Sequence, residues 1–430
     1  MTFALSAVLA ALVQVQAPIL TLEDAVARGE KRSLAIQIAQ NEAVKNRDNL
    51  RAAKASSGPS LTLGGSSRRV LDGSNAFTPD WSNSLTATAS IGIDISGLVR
   101  LAVRSAEYAL AAQRENVEAT RNTTRYDIKV AYFRLIQTDW VLQIRESTLR
   151  AAEKRANDAR LKNTQGVLSK FDLTRLESDL QQARLQYDQA QLSRNLALAA
   201  LNNAMREPLE QQWTLQPVQE IAEVNTSEPE LKMAADRERA EIRSLKNRVS
   251  LLEVQEKVAG NSLKPSMGVQ LQQSRNLNPN SFSPASQTTL GVSVSYPIFD
   301  GGVTKARVAA ARRDTESLRI QLLQLREGVS LEVHVALQNL KNASAQVAIT
   351  EEGLTVAREA YRLAEVRFAN DLGILLDVIA AQDSLTAARA RLAQANYDYL
   401  VAVAALQKAV GNDEYTIRTG SPAKKTLTTP

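Results

Sequence analysis

The sequence predicts a mostly α-helical protein with a small β part, in which a unit of helix, strand, strand and long helical hairpin occurs twice. Three features of the 430 residues lead to this fold class: an internal repeat of about 205 residues, two long segments almost free of helix breakers, and two pairs of alternating segments. The composition agrees, since only 4% of the residues are aromatic, which is typical of extended helices with small side chains at their contacts.

The charged side chains exclude several classes of function. The 52 basic and 46 acidic residues are interleaved along the chain, so we interpret them as solvated helix faces and predict no nucleic-acid partner. Cys is absent, which excludes disulfides, a catalytic thiol and a lipid attached through Cys. His334 is the only His, so neither a His-based catalytic triad nor a multi-His metal site is possible. We therefore predict no enzyme and no cofactor.

The first residues resemble an export signal. Phe3 to Val15 form an uncharged apolar run, and Ala17 offers a small side chain for cleavage, so we predict a signal peptide at 1–17. No Lys or Arg precedes the run and Pro18 follows the cut, which departs from the usual pattern. No later apolar run approaches the ~20 residues of a transmembrane helix. If the protein spans a membrane, it must do so with strands.

An internal repeat divides the rest of the chain into two corresponding halves. Eleven positions from Asp172 to Ala204 have counterparts from Asp377 to Ala409 at a constant offset of 205. A chance match would not keep one offset over that length. We therefore predict a first repeat at 18–225 and a second at 226–430.

Two breaker-poor segments predict very long helices. Residues 98–207 contain no Pro and one Gly, and residues 303–410 contain no Pro and three Gly. Apolar side chains recur in them at alternating spacings of three and four, which indicates coiled-coil packing. Each segment is interrupted once, at 163–172 and at 369–377, so each predicts a helical hairpin with its tip there. Heptads alone would also fit a filament or a soluble bundle.

Four short segments predict strands, at about 60–69, 83–96, 266–275 and 287–299. In the second of them one face is apolar and the other small and polar, and the apolar residues are Leu85, Ala87, Ala89, Ile91, Ile93 and Ile95. The apolar face carries no charge over about 11 residues, the length that a tilted membrane strand needs. Polar loops at 70–81 and 276–284 join the strands of each pair.

Four strands cannot close a barrel, and an open edge in lipid leaves backbone groups unsatisfied at several kcal/mol each. Other copies of the chain must therefore supply the missing strands. Two copies would give a barrel filled by its own side chains, so a conducting pore favours three or more.

The segment from Ser295 to Gly302, Ser-Tyr-Pro-Ile-Phe-Asp-Gly-Gly, and the opening from Leu20 to Val26 resemble the TolC-like outer-membrane efflux protein family. The resemblance covers essentially the whole mature chain. It implies a homotrimer with a 12-stranded β-barrel in the outer membrane, joined to an α-helical coiled-coil barrel in the periplasm. It also implies a passive channel for efflux or type I secretion, with a periplasmic adaptor (membrane fusion) protein and an inner-membrane pump of RND, ABC or MFS type as partners.

The resemblance also implies roles for the hairpin tips. In the family the tips meet the adaptor, and the matching positions here are Gly166, Leu168, Ser169, Asp172, Asp371 and Gly373. An Asp ring narrows the pore near the second tip, and Asp377 matches its first position, whereas Ala380 occupies the second. Helix N-capping is the alternative for Asp172 and Asp377, and a turn with positive φ is the alternative for the two glycines.

Two other classes of protein share part of this pattern. A structural coiled-coil protein of the envelope without transport activity would have the heptads and the signal segment, but it would not need two alternating strand pairs. A periplasmic adaptor also has a helical hairpin, but it gives no reason for the duplication. A channel protomer accounts for the heptads, the signal segment, the strand pairs and the duplication together.

Overall fold

The computed structural model describes residues 18–69, 71–72, 81–216, 220–222, 227–279, 284–370, 372–412 and 424–426. The predicted signal peptide, nearly all of the loop at 70–81 and the middle of the loop at 276–284 lie outside these ranges. The chain forms two compact units. We call Ala35–Thr120 with Asp236–Val329 the sheet unit, and Met1–Leu34 with Arg121–Ala235 and Ser330–Pro430 the hairpin unit.

The sheet unit holds the longer strands and the helices that lead into and out of them. The elements that belong to it in whole or in part are α2 (Leu34–Ala55), β2 (Ser60–Arg69), β3 (Trp81–Ile93), α3 (Leu98–Thr164), α6 (Ala240–Gly260), a 3-10 turn (Asn261–Leu263), β6 (Ser266–Asn276), β7 (Ser286–Ser295) and α7 (Val303–Ala369). Ion pairs join α6 to α7, such as Arg312 with Glu256 at 2.6 Å.

The hairpin unit takes the remaining parts of α3 and α7 and adds short elements around them. These are β1 (Ile19–Leu20), α1 (Leu22–Arg32), α4 (Lys170–Met205), β4 (Thr214–Leu215), β5 (Glu220–Ala222), α5 (Glu228–Glu238), α8 (Leu375–Val410) and β8 (Lys424–Thr426). Tyr132 is fully buried, and its single hydroxyl proton is shared between the carbonyl oxygens of Leu20 and Gln216, which holds the β1–β4 pair against α3.

The duplicated fold predicted from the sequence is confirmed. The helices α3 and α7 have 67 residues each, and α4 and α8 have 36 each. Because corresponding helices have equal lengths, the two tips lie equally far along the chain from the starts of α3 and α7.

The sheet is antiparallel throughout, in the order β2-β3-β6-β7. The second and fourth strands end earlier than predicted, β3 at Ile93 and β7 at Ser295. Asp94 turns the chain into α3, and Pro297, which lacks a backbone N–H, follows β7. The outer edges of β2 and β7 have no partner strand among the described residues.

An Asp begins each long helix. The Asp94 carboxylate accepts from the backbone N–H groups of Val99 and Arg100, and the Asp300 carboxylate accepts from those of Gly302 and Thr304. Burial raises the pKa of Asp94, but its hydrogen bonds and Arg100 outweigh this, so that its pKa is lowered. The pKa of Asp300 is lowered mainly by its hydrogen bonds with Thr304.

In the hairpin unit α3 packs against both α4 and α8, and α8 also packs against α7. Polar pairs join α3 to α8, among them Thr148 with Thr386 at 3.2 Å and Arg155 with Gln382 at 2.8 Å. Arg194 pairs with Asp139 to join α4 to α3. The heptad positions of α8 carry the core: all except Ala381 are buried, namely Val378, Leu385, Ala388, Leu392, Ala395, Tyr399, Ala402, Leu406 and Ala409.

Candidate functional site

The sheet has one apolar and one polar face, and their separation follows from its register. Leu61 pairs with Ala89, Ala89 with Leu271, and Leu271 with Leu290, so apolar residues meet across all four strands. On the other face Ser60 and Ser90 share a hydrogen bond of 2.8 Å between their hydroxyls. Leu61 and Leu290 are more than 70% exposed. Such a sheet has an apolar face suited to lipid and a polar face suited to water.

The apolar band runs obliquely across the strands. On β2 its residues are Leu61 and Leu63, whereas the segment of β7 continues away from the loops through Val294 to Tyr296 and Ile298. The centre of the band moves by about two residues per strand, which at ~3.3 Å per residue and ~4.8 Å between strands gives a tilt of roughly 50°. This is close to the ~45° of strands that span a membrane.

The first helical tip is a tight turn that ends at a capped helix start. Gly166 has φ +76°, a left-handed conformation that Gly adopts without strain. The Ser169 hydroxyl accepts from the backbone N–H of Asp172 at 3.1 Å and donates to its carboxylate at 2.6 Å. Ser169 is therefore the N-cap of α4, and Asp172 supports it from the first turn. Leu168 packs into the cluster formed by Ala159, Leu176 and Ile379.

The second tip is built differently. Asp371 lies outside the described residues. Gly373 does not have a positive φ, so the alternative of a left-handed turn fails at this position. A Cβ at Gly373 would lie 3.3 Å from Cβ of Arg367 and 3.4 Å from the backbone nitrogen of Phe368. The small residue is used here because the turn folds closely against the end of α7.

Asp377 lies in the first turn of α8 on its exposed face, but it does not cap the helix. The N-cap is Ile374, which makes no side-chain capping bond, and no hydrogen bond joins the Asp377 carboxylate to another described residue. The capping alternative therefore fails for Asp377, although the helix dipole still favours a carboxylate there. The exposed stripe continues along α8 through Ala380, Ser384, Ala387 and Arg391.

Exposed apolar side chains surround both tips. Val167 is 74% exposed, Phe171 73%, Leu372 71% and Ile374 60%. An open groove of about 400 Å³ lies beside them between the ends of α3 and α7, and Lys154, Arg155, Tyr361 and Phe368 are among its lining residues. Apolar residues concentrated at a turn mark a surface that another molecule covers.

An acidic pair near the tips was missed from the sequence. Loss of solvation and the nearby Asp179 raise the pKa of Asp383, although Arg155 and Arg145 act in the opposite direction. One carboxylate oxygen of Asp179 is buried without a hydrogen-bond partner among the described residues. The two residues lie on different helices, α4 and α8, so nothing in the sequence indicated the electrostatic interaction between them.

Within the described ranges, no helix has an apolar stretch long enough to cross a membrane. The same ranges contain no group of three or more His, Asp or Glu side chains that could hold a metal ion.

A family model described as "Outer membrane efflux protein" matches residues 26–205 and again 231–412. Outer membrane efflux protein BepC of Brucella suis biovar 1 (strain 1330) is 26% identical over 345 residues, which are 75% of this chain and 72% of BepC. Nodulation protein T of Rhizobium leguminosarum bv. trifolii is 23% identical over 401 residues, which are 90% of this chain and 84% of that protein.

Solved structures have the same fold. The outer membrane protein VceC from Vibrio cholerae is similar with a TM-score of 0.76 and 19% identity, over 91% of this chain and 96% of VceC. The CmeC outer membrane channel of Campylobacter jejuni gives a TM-score of 0.77 and 17% identity, over 91% of this chain and 85% of CmeC.

Proposed function

The chain belongs to the outer membrane efflux protein family, since the two matches of the family model together cover most of its length, and we propose that three copies close into one export channel. It is an outer-membrane channel protein of an efflux or secretion system, with its helical part in the periplasm. We propose in addition how its copies assemble, which residue narrows the pore and which partners it meets.

The open sheet is the observation that carries the proposal. The outer edges of β2 and β7 lack partner strands among the described residues, and in hydrocarbon each unpaired backbone group costs several kcal/mol. If β2 of one copy pairs with β7 of the next, every copy satisfies both edges. Three copies give twelve strands, whose polar faces surround a lumen wide enough for water.

The outer helices of the hairpin unit support the same arrangement. Leu185 and Leu192 on α4 are exposed at a seven-residue spacing, and so are Ile349, Val356 and Leu363 on α7. Because the two stripes differ, they fit a head-to-tail contact that closes a ring, and not a contact of a patch with itself. This adds a helical seam between copies to the shared strand edge.

We assign the pore constriction to Asp377. In a ring of three copies the exposed stripe of α8 would bring three carboxylates to one level near the tips, with small residues on the following turns. Such a ring attracts cations and narrows the lumen. Ala380 occupies the position of a second ring, so the constriction rests on one residue per copy.

We assign the tips to a periplasmic adaptor protein. Exposed Val167, Phe171 and Leu372 need a partner in water, and a protein with complementary apolar side chains satisfies this. The turns carry Gly166, Leu168, Ser169, Asp172 and Gly373, with Asp371 in the part of the second turn outside the described residues. An inner-membrane pump of RND, ABC or MFS type would supply the energy.

Assembly is tested by extraction from outer membranes with detergent. A heat-sensitive oligomer that dissociates to monomers on boiling supports the channel, whereas a freely soluble periplasmic monomer contradicts it.

The gate is tested in planar bilayers: Asp377→Ala should raise single-channel conductance or weaken block by divalent cations. Asp398→Ala, on the exposed face of α8 far from the tip, is the matched control and should leave both unchanged.

The adaptor contact is tested with cysteines, which the natural chain lacks. Val167→Cys should cross-link to a Cys introduced in the helical tip of the cognate adaptor, and Leu209→Cys, at a similarly exposed site in the turn after α4, should not. Equal cross-linking from both positions would remove the assignment of the tips.

A further inference from the structure

Two arginines and a tryptophan lie on the apolar face of the sheet, beyond its last apolar residue on the side of the loops. We propose that Arg69, Trp81 and Arg275 bind the phosphate groups of lipid headgroups in the outward-facing leaflet. This proposal rests on the proposed membrane-spanning barrel, and it goes beyond that function because it assigns a lipid site.

The register places the three side chains on one face of the sheet, at the end nearest the loops. Arg69 pairs with Trp81, and Arg275 pairs with Leu85. Trp81 lies four residues beyond Leu85 on β3, and Arg275 lies four residues beyond Leu271 on β6. The oblique course of the band, about two residues per strand, removes roughly half of the four-residue offset between Trp81 and Arg275 in the pairing register. Four residues at ~3.3 Å and a tilt near 45° put Trp81 and Arg275 roughly 9 Å above the band, at the depth of the headgroups. Arg69 lies six residues beyond Leu63, roughly 14 Å above the band by the same estimate, and its long side chain can reach back toward Trp81.

The chemistry of the cluster suits phosphate. The Arg69 guanidinium lies 5.5 Å from the centre of the Trp81 ring, a cation–π contact that holds it in place. Neither Arg69 nor Arg275 has an ion pair with a described carboxylate, whereas helix arginines such as Arg319 do have one. Guanidinium binds phosphate through two parallel hydrogen bonds. Trp is also the residue that lies preferentially at the membrane–water interface.

Arg68 provides a natural contrast. It neighbours Arg69 on β2, but the alternation of the strand places it on the polar face with Ser66, whose hydroxyl bonds that of Ser84. The two adjacent arginines therefore carry the same charge into different surroundings, the lumen side for Arg68 and the lipid side for Arg69. A net attraction of the protein for anions would involve both, but a lipid site involves only Arg69.

The experiment measures lipid binding to the purified oligomer by native mass spectrometry in detergent. Lipid A, an acylated sugar with two phosphates, is titrated into the wild type, the Arg69→Gln/Arg275→Gln double variant and the Arg68→Gln control. We expect the double variant to bind about tenfold more weakly, because two charge-assisted contacts are lost, and the control to bind like the wild type. Dioleoyl phosphatidylcholine should not distinguish the three proteins.

Several outcomes would overturn the proposal. Equal loss in Arg68→Gln would show general charge attraction, and unchanged binding by the double variant would remove the site. Displacement of lipid A by millimolar inorganic phosphate would reassign the arginines to free anions. Each single variant is measured as well, so that a double variant that fails to assemble leaves the test intact. Retained heat-sensitive oligomers and conductance separate a failure of this site from a failure of the channel.

Discussion

The surroundings of Asp383 on α8 disfavour the ionised form of its carboxyl group. Loss of solvation and Asp179 raise its pKa, and Arg155 and Arg145 offset this only in part. Between the ordinary pKa of a carboxyl and this raised value, the folded state binds more protons than the unfolded state, so folding stability falls as the pH rises through that window. At neutral pH the carboxylate therefore opposes folding.

Asp383→Asn should raise the thermal midpoint of the oligomer at neutral pH, and this gain should shrink as the pH falls below the raised pKa. Thermal unfolding followed by circular dichroism over a pH series measures both effects. Asp188→Asn, at an exposed position on α4, serves as the control and should have no such pH-dependent effect. A gain that persists unchanged in acid would mean that the charge of Asp383 is not its source.

Gly166 at the first tip should tolerate an added side chain only in so far as that residue can adopt a left-handed conformation. Gly166→Ala forces a left-handed conformation on a residue with a Cβ, which costs roughly 1 kcal/mol, and Gly166→Asn should recover part of this loss. Limited proteolysis at the first tip should therefore be faster in Gly166→Ala than in Gly166→Asn or the wild type. If both variants resist protease like the wild type, the turn does not depend on the conformation of Gly166.

For single residues, the sequence predicted where the helical tips lie but only part of what each tip residue does. It placed Asp172 at a helix start, but it could not distinguish a residue that caps from one that supports the capping Ser169, because that depends on a turn of a few residues. It treated Gly166 and Gly373 alike, although only the first has a positive φ. Breaker residues mark a turn, but its conformation is decided by the packing around it.

Whole elements were predicted more closely, because periodicity extends over many residues. The breaker-poor segments became α3 with α4 and α7 with α8, and the seam of α8 is buried at nearly every predicted position. The second apolar stripe on α4 and α7, which includes Leu192 and Ile349, was not recognised. Both stripes share a seven-residue spacing, so only the packed structure distinguishes the buried one from the exposed one.

These exposed stripes predict which positions meet between copies. Leu192 lies 22 residues from the start of α4 and Ile349 lies 20 residues from the end of α7, so both lie at the same level above the tips. In the Leu192→Cys/Ile349→Cys double variant, oxidation should give covalent dimers and trimers and no larger species. Electrophoresis without reductant detects them, and the natural chain contributes no cysteine of its own.

The two single-cysteine variants are the controls for this experiment. A head-to-tail ring joins unlike surfaces, so neither variant alone should form a disulfide-linked dimer. Strong dimers from Leu192→Cys alone would instead indicate that α4 meets α4, and the ring proposed here would be wrong.

For the whole molecule, the sequence was sufficient to require more than one copy, because four strands cannot close a barrel. It did not give the strand tilt, since tilt depends on the pairing register as well as on the pattern of each strand. The register shows that the apolar band shifts between β2 and β7, from Leu61 to Val294 and beyond. The band thereby fixes the depth of every sheet residue relative to the membrane, including Trp81.

That depth can be measured with the protein in a bilayer. Trp81 is 49% exposed on the apolar face of the sheet, whereas Trp140 and Trp213 are buried at 9% and 6% exposure among helices of the hairpin unit. Lipids brominated high on their acyl chains should therefore quench the tryptophan fluorescence of the reconstituted channel more strongly than lipids brominated near the chain ends, because Trp81 lies at the headgroup level. In Trp81→Phe both quenchers should lose their effect, since the remaining tryptophans do not reach lipid. Stronger quenching from the chain ends would place Trp81 near the bilayer centre and would contradict both the tilt and the lipid site.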